Sequence, residues 1–342
     1  MSRNAVHMRY KFASGLWVFA APSDRFNPEG YSEARDPLEQ IALAGNARGL
    51  DALELHWPTD FNGPDWSMVT TIDEDRIQDV REALDDADLS PSVVNLNTCG
   101  FSQWGLGAFT NTDPTIRDKA IECGKTAVEA AKMIECPTVG LWLGADGFDY
   151  PFQVDYSKHW DTIIDGIRQV AEVDSDIKVS IEYKLKEPRT HMQIGSVAKA
   201  LYVCESAGSP NLGVTVDFGH ALMGGENPAD SACLLAREDK LFNVHFNDAY
   251  REWDDDMMVG VINFWETVEF LYHTMKLGYD GYFGLDMYPY REDPVRTVEL
   301  SIENLKSMIR MAREIDVEEL GLAQDTMDAV ATQEVVRKLI YK

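Results

Sequence analysis

The stretch LGVTVDFGH (residues 212–220) joins a run of apolar and β-branched residues to a polar end. A short continuous apolar run of this kind is typical of a strand that is buried on both faces of a parallel sheet. Asp217 and His220 stand at the end of the run, where ionisable side chains are costly unless they are paired or bind a metal. The stretch therefore predicts a buried strand with polar chemistry at its carboxyl end.

Seven further runs of the same type recur along the chain. They are VHMRYKFASGLW (6–17), LDALELH (50–56), SVVNLNTC (92–99), TVGLWLG (138–144), DIKVSIEYK (176–184), LFNVHFND (241–248) and YFGLDMYP (282–289). Amphipathic segments with helix signals separate them, including DPLEQIALAGNARG (36–49), DPTIRDKAIECGKTAVEAAKMIE (113–135), VINFWETVEFLYHTMKLG (261–278) and DPVRTVELSIENLKSMIRMAREI (293–315). Asp113 is expected at an N-cap with Pro114 at the first helical position. Eight strands that alternate with helices predict an α/β fold, a single (β/α)8 barrel over residues 1–315.

Residues 316–342 continue with a helical pattern beyond the last barrel unit. A terminal helix with an apolar stripe usually docks on its own domain or on a neighbouring subunit. We therefore expect a C-terminal helical extension that packs in one of these two ways, and a homo-oligomer, either a dimer or a tetramer.

Composition limits the partners of the protein. The 342 residues carry a formal net charge of −27, and such a surface repels nucleic-acid phosphates and anionic lipids, so neither is an expected partner. The five cysteines are widely spaced without a CxxC pair, which favours reduced and mostly buried thiols. The sequence shows neither a signal stretch nor 18 consecutive apolar residues, so a cytoplasmic protein is expected.

Polar side chains gather at the carboxyl ends of the predicted strands, which converge on one axis in a closed barrel. They are His56, Glu182, Lys184, Asp217, His220, His245, Asp248 and Asp286, with Asp254–Asp256 on a loop. Each alone has an ordinary explanation as a helix cap, a solvated turn or a structural histidine, but the set recurs on each of the last four strands. Oxygen ligands with some imidazole suit Mg²⁺, Mn²⁺ or Co²⁺. There are more ligands than one ion needs, and two ions that share a carboxylate would offset the repulsion among the acids.

At these residues the sequence resembles the xylose isomerase and rhamnose isomerase group of metal-dependent ketol isomerases, roughly from Tyr10 to Ile315. The most specific matches, in chain order, are IEYKLKEPR (181–189), VDFGHALMGG (216–225), KLFNVHFND (240–248), WDDDMMVG (253–260) and GLDMY (284–288). Supporting matches are GLW (15–17), LELH (53–56), NLNT (95–98) and GLWLG (140–144).

The resemblance implies two metal sites that share Asp217. The first would be formed by Glu182, Asp217, His245 and Asp286, and the second by Asp217, His220, Asp254 and Asp256. Asp217 and His245 replace the Glu and Asp of xylose isomerases and look like the pair of rhamnose isomerases. L-Rhamnose or a related hexose is therefore the favoured substrate, ahead of pentoses and of xylose isomerase proper.

The resemblance also implies a mechanism of aldose–ketose isomerisation by hydride shift between C2 and C1. His56 would open the cyclic sugar, and Lys184 would stabilise the negative charge that develops on O1. Asp254, a ligand of the ion that would polarise O1 and O2, is the third catalytic residue. Xylose isomerases follow the ring-opening histidine with Asp, whereas Trp57 follows His56, so the group that orients His56 is left open.

Four residues are expected to bind substrate. Trp17 and Trp142 would wall the site, with ordinary barrel packing as their alternative. Phe26 lies in a loop that resembles one reaching a neighbouring subunit's pocket in xylose isomerases, with an ordinary surface loop as the alternative. Asn97 stands where xylose isomerases carry an apolar ring.

Three other functions share the barrel. A sugar 3-epimerase abstracts protons with two glutamates around one metal, whereas this chain offers Asp286 in the last ligand position and adds Lys184. Endonuclease-like barrels bind three zinc ions with more histidines and need a basic groove for DNA. The seven histidines of this chain and its net charge of −27 argue against that function. A non-catalytic sugar-binding or scaffold barrel predicts no dependence on metal.

Overall fold

The computed structural model describes residues 9–62, 69–98 and 102–341. Its centre is a closed barrel of eight parallel strands in which each strand pairs with the next along the chain. The strands are β1 Lys11–Gly15, β2 Ala52–Trp57, β3 Ser90–Leu96, β4 Thr138–Trp142, β5 Lys178–Glu182, β6 Leu212–Asp217, β7 Leu241–Phe246 and β8 Tyr282–Leu285. The barrel closes where β1 pairs with β8, with Lys11 opposite Tyr282. The predicted (β/α)8 fold is confirmed.

Helices surround the barrel and follow its strands. They are α1 Pro37–Ala44, α2 Thr59–Asn62, α3 Glu74–Asp86, α4 Pro114–Met133, α5 Tyr156–Ala171, α6 Val197–Ala207, α7 Phe218–Met223, α8 Pro228–Ala236, α9 Phe264–Leu277, α10 Pro294–Glu314, α11 Val317–Asp325 and α12 Ala329–Arg337. The side chain of Asp113 accepts a hydrogen bond from Thr115 N, and Pro114 opens α4, as predicted. Helix α1 is shorter than its predicted segment and begins with a capping box between Asp36 and Glu39.

Several predicted strands extended too far. β1 ends at Gly15, and a 3₁₀ helix, Leu16–Phe19, carries Trp17. β6 ends at Asp217, because the Asp217 carboxylate accepts a hydrogen bond from His220 N and so begins helix α7. The segment beyond β5 forms part of a small antiparallel sheet that the sequence did not predict. The strands of that sheet are Gly147–Phe148, Lys186–Glu187 and Thr190–Met192.

The space inside the barrel is polar, in contrast to the apolar layer between strands and helices. Ser14, Asn95, Ser180, Thr215 and Asn243 are buried on the strands. Ser180 Oγ lies 2.6 Å from Thr215 Oγ1. Buried polar groups need such partners, so this interior is suited to hold charged groups near the strand ends.

Helices α11 and α12 lie against the outside of the barrel next to α9. Leu320 and Val335 join the apolar core, and residues of both helices line a cavity with Tyr272 and His273 of α9. Helices α11 and α12 thus contact the barrel of the same chain. Within the described residues, no helix is long and apolar enough to cross a membrane.

The cysteines that the structure describes are free thiols. Cys123, Cys136 and Cys204 are buried, and Cys233 is half-buried. Cys99 lies outside the described residues.

Candidate metal and sugar site

A cavity of about 530 Å³ opens at the carboxyl ends of the barrel strands. It is lined by Trp17, His56, Asn95, Leu96, Asn97, Trp142, Glu182, Lys184, Glu187, His220, Trp253, Asp254, Asp256, Asp286, Tyr288 and Tyr290. Carboxyl ends of strands are where catalytic residues collect in this fold.

One group of potential metal ligands combines two residues of the cavity wall, Glu182 and Asp286, with two buried neighbours. Glu182, Asp217, His245 and Asp286 each offer one ligand atom, and these atoms lie within 4.8 Å of one another. His245 Nδ1 lies 3.2 Å from Glu182 Oε1 and 3.3 Å from Asp286 Oδ2. Three carboxylates and one imidazole within this distance could hold a divalent cation.

A second group shares Asp217 with the first. Asp217, His220 and Asp254 also place one ligand atom each within 4.8 Å of the others. His220 Nε2 lies 3.1 Å from Asp254 Oδ2. The structure therefore brings together two sets of ligands around a common carboxylate.

Asn247 connects the remaining predicted ligand, Asp256, to these groups. Its Nδ2 donates to Asp217 Oδ2 at 3.0 Å and to Asp256 Oδ1 at 3.3 Å. The carboxylate of Asp255, by contrast, accepts from Tyr250 N at 2.7 Å and so stabilises the loop.

Burial and repulsion between carboxylates shift the pKa values of the candidate ligands. Burial, together with the charges of Asp286, Glu182 and Asp254, raises the pKa of Asp217 to about 7, although His220 opposes the rise. Burial and Asp254 raise the pKa of Asp256 well above its ordinary value.

Two buried ligand atoms make no hydrogen bond to any described residue. They are His220 Nδ1 and Asp254 Oδ1, and the former lies 3.3 Å from Glu182 Oε1. Buried polar atoms are rarely left without a partner. A divalent cation would satisfy both atoms and relieve the repulsion between the carboxylates, so these residues fit such an ion.

Lys184 is the one lysine among the residues that line the cavity. Its Nζ lies 2.7 Å from Asp254 Oδ2 and contacts Glu187, and its side chain is 6% exposed. Burial lowers the pKa of Lys184, but Asp254 and Glu187 outweigh it and raise the pKa above its ordinary value. The side chain is therefore a fixed positive charge at the wall of the cavity.

His56 faces the cavity beside Trp17, with 4.5 Å between the ring centroids. Burial lowers the pKa of His56 to about 4, so the imidazole is neutral at neutral pH. Trp57 points to the opposite side of the strand, where its Nε1 donates to Thr126 Oγ1 at 3.1 Å. Asp60, which the sequence did not single out, accepts from the backbone N of His56 at 2.6 Å.

The predicted substrate residues fall into two groups. Trp17, Asn97 and Trp142 line the cavity. Trp17 Nε1 also donates to Asp286 Oδ1 at 2.9 Å. Phe26 does not line this cavity and is 80% exposed on a surface loop, so its predicted contact with a neighbouring subunit's pocket stays a prediction, with an ordinary surface loop as the alternative.

One buried carboxylate of the site was missed from the sequence. Glu54 is 1% exposed, and both its oxygens lie 3.1 Å from His245 Nε2. A signal was available, because Glu54 stands two residues before His56 on a strand and must share its inward face.

The sequence matches the model of a known protein family. The model of the xylose isomerase-like TIM barrel family matches residues 41–308. The xylose isomerase of Thermus thermophilus is 24% identical over 264 residues, which cover 74% of this chain and 66% of that protein. The chain therefore spans slightly less than two thirds of the length of that curated relative.

Solved structures share the fold at low sequence identity. D-Allulose 3-epimerase from Methylomonas sp. aligns with a TM-score of 0.65 and 15% identity over 88% of this chain and 98% of that chain. A D-tagatose 3-epimerase-like protein aligns with a TM-score of 0.65 and 23% identity over 89% and 98%. The family match covers more than half of the sequence, and we conclude that this chain belongs to the xylose isomerase-like TIM barrel family.

Proposed function

We propose that this protein is a metal-dependent aldose–ketose isomerase that acts on a free sugar by hydride shift between C1 and C2. Membership of the family supports a sugar-modifying enzyme. The relatives described above are a xylose isomerase, a D-allulose 3-epimerase and a D-tagatose 3-epimerase-like protein. They match the alternatives weighed from the sequence and give no support to L-rhamnose in particular.

The buried Lys184 is the observation that favours an isomerase. Its ammonium group is held by Asp254 and Glu187 at the wall of the cavity. A fixed cation placed there stabilises negative charge on a substrate oxygen as that charge develops. Reduction of an aldose C1 by hydride from C2 puts such a charge on O1, and Lys184 would donate a hydrogen bond to it.

The two ligand groups would hold two divalent ions, Mn²⁺, Mg²⁺ or Co²⁺, with Asp217 in both groups. When bound, such ions polarise the oxygens of the sugar and fix its orientation. Asp256 would complete the second group, because Asn247 ties it to Asp217.

The other residues would prepare the sugar and protect the reaction. The neutral His56 can exchange a proton at the ring oxygen and the anomeric hydroxyl, which opens the ring. Trp17 and Trp142 would exclude water from the reacting carbons, and Asn97 would contact a hydroxyl. Asp254 lies beside Lys184 and would be a ligand of the second ion. A water molecule in the cavity would carry the proton that leaves O2 to O1.

An isotope experiment tests the hydride shift. An aldose labelled with deuterium at C2 is converted in H₂O with Mn²⁺, and the ketose is examined by NMR. We expect the deuterium at C1 of the product. Loss of the label to solvent would instead show proton abstraction and would exclude the proposed mechanism.

Lys184→Met tests the residue that carries the proposal. We expect a fall in kcat of about 10²-fold or more, as for removal of one stabiliser of a developing oxyanion. Lys186→Met is the matched control, because Lys186 is the next lysine along the chain and does not line the cavity. An equal kcat for both variants would contradict the assigned role.

A sugar 3-epimerase is the second candidate. Glu182 and Asp286 both approach His245 Nδ1, so two carboxylates share one ligand group as a two-base epimerase requires. However, Asp286 Oδ1 already accepts a hydrogen bond from Trp17, which leaves it poorly placed as a base. An epimerase would act on ketoses, incorporate solvent deuterium at C3 and retain activity in Lys184→Met.

Substrate and assembly are tested together. A panel of aldoses and ketoses, with L-rhamnose and related hexoses first and pentoses next, is assayed with each of the three metals.

We further propose a homo-oligomer in which the exposed Phe26 reaches a neighbouring cavity. A monomer in sedimentation experiments that retains full activity would exclude this role for Phe26.

A further inference from the structure

A glutamate–histidine pair lies at the base of the proposed metal site. Glu54, on β2, is buried inside the barrel and approaches His245 Nε2 with both oxygens at 3.1 Å. The other ring nitrogen, Nδ1, is the one that faces Glu182 and Asp286. The two ring nitrogens of His245 therefore face different groups: Nε2 faces Glu54, and Nδ1 faces the other proposed metal ligands.

The barrel interior is shaped around this pair. Asn95 Nδ2 donates to Glu54 Oε2 at 2.9 Å. On β8, which pairs with the strand of His245, a Cβ at Gly284 would come within 2.8 Å of Glu54 Oε1 and 2.9 Å of His245 Cδ2. A Cβ at Gly140 would come within 1.9 Å of Asn95 Oδ1. Two glycines thus leave the space that the carboxylate, its amide donor and the imidazole occupy.

We propose that Glu54 is a positioning residue that holds the proton of His245 on Nε2 and so leaves the Nδ1 lone pair free for a metal ion. The proposal rests on the proposed metal site. An imidazole that binds a metal carries its one remaining proton on the other nitrogen, and a partner for that proton fixes both the tautomer and the ring orientation.

One neighbour competes with Glu54. Asn243 Nδ2 lies 3.1 Å from the same Nε2, and donation from this amide would move the proton of a neutral ring to Nδ1 and block metal binding. A hydrogen bond to a carboxylate is roughly twice as strong as one between neutral groups, and Glu54 presents two oxygens. The charge of Glu54 therefore decides the tautomer.

Glu54→Gln separates charge from shape. The amide has the same outline but places an N–H group near Nε2, which favours the unwanted tautomer. We expect Mn²⁺ affinity, measured from free Mn²⁺ by EPR, to fall about 10- to 100-fold. Thr215→Val is the matched control, since it changes another buried polar residue of the barrel interior, and we expect its Mn²⁺ affinity to equal that of the wild type.

The tautomer is observed directly in the wild type. In the Mg²⁺-loaded protein, ¹⁵N-labelled histidine spectra are expected to show His245 protonated at Nε2. Gly284→Ala supplies a second variant if Glu54→Gln does not fold, because its Cβ would displace the pair without changing any charge, and we expect a similar loss of Mn²⁺ affinity.

The outcomes separate this inference from the proposed function. Wild-type affinity in Glu54→Gln, or a His245 that is unprotonated at Nε2 in the Mg²⁺-loaded protein, would overturn the role of Glu54 and leave the metal site standing. A wild-type protein that binds no Mn²⁺ would overturn both.

Discussion

Replacing Asp217 by Asn should change stability in opposite directions with and without metal. Asp217 is fully buried and belongs to both ligand groups. Without a cation, its negative charge is costly, whereas with cations it would be the shared ligand. The Asn side chain removes the charge and keeps an oxygen that can still accept from His220 N, as Asp217 Oδ1 does at 2.7 Å.

The size of the metal-free effect follows from the raised pKa. The pKa of Asp217 is about 7 in the folded protein against an ordinary 3.8, so the folded state keeps a proton that the unfolded state loses. Stability therefore falls as the pH rises from about 4 to about 7. At about 1.4 kcal/mol for each pKa unit, the cost at pH 8 reaches at most about 4 kcal/mol. The new amide N–H₂ group of Asp217→Asn would face another donor, Asn247 Nδ2, and the lost hydrogen bond offsets part of this gain. We therefore expect a net increase of about 1–3 kcal/mol in the free energy of unfolding.

The assay is urea unfolding at pH 8, followed by circular dichroism, in EDTA and in Mn²⁺. At a concentration 1,000 times its Kd, a ligand of the folded state adds about 4.1 kcal/mol, which exceeds the expected gain of the variant. We expect the variant to be the more stable protein in EDTA and the wild type to be the more stable one in Mn²⁺. Asp255→Asn is the control that should keep its response to Mn²⁺. A variant that is less stable than the wild type in EDTA, or that gains as much from Mn²⁺, would refute the reasoning.

Three further predictions concern single interactions and the surface charge. Trp17→Phe keeps a ring beside His56 but removes the donor to Asp286, and urea unfolding should show a loss of about 1.5 kcal/mol; no loss would mean that the bond is not formed in solution. Thr126→Val leaves Trp57 Nε1 buried without an acceptor and should cost about 1–3 kcal/mol in the same assay, whereas an unchanged midpoint would show that another acceptor replaces it. With a net charge of −27, the thermal midpoint should rise between 0.1 M and 1 M KCl as the screening length falls from about 10 Å to about 3 Å; a lower midpoint at 1 M would contradict self-repulsion.

The barrel could be predicted from the sequence because each of its strands is an apolar run that is buried on both sides. The ends of those strands could not. At Asp217 the apolar pattern continues through Phe218, but the Asp217 side chain accepts a hydrogen bond from His220 N and the chain turns into helix α7. The same limit applies after β1, where the apolar Leu16–Phe19 forms a 3₁₀ helix.

Period-two alternation indicates a residue of the site that the motif comparison did not include. On β2, it places Glu54 and His56 inside the barrel and Trp57 among the helices. The comparison of Trp57 with the aspartate of xylose isomerases therefore concerned a residue on the wrong face. The contact between Glu54 and His245 could not be predicted in this way, since it joins residues 191 positions apart and depends on which inward side chains share a level of the barrel.

Asp60 is the candidate for the group that holds His56 in position. It accepts from His56 N at 2.6 Å, and burial raises its pKa to about 7. Asp60 therefore keeps its proton in the folded state as the pH rises above about 4, whereas it loses it in the unfolded state. At pH 8 the charge of Asp60 lowers the stability of the folded protein, but its oxygen is still the acceptor for His56 N. Asp60→Asn keeps an acceptor and should be more stable than the wild type at pH 8 by about 1–3 kcal/mol, with a difference that vanishes below pH 4. Asp60→Ala leaves a buried N–H group without an acceptor and should be less stable by about 1–3 kcal/mol. The reverse order of Asn and wild type at pH 8 would mean that Asp60 acts through its charge, and His56 would then be held by an electrostatic partner rather than by the backbone at the end of β2.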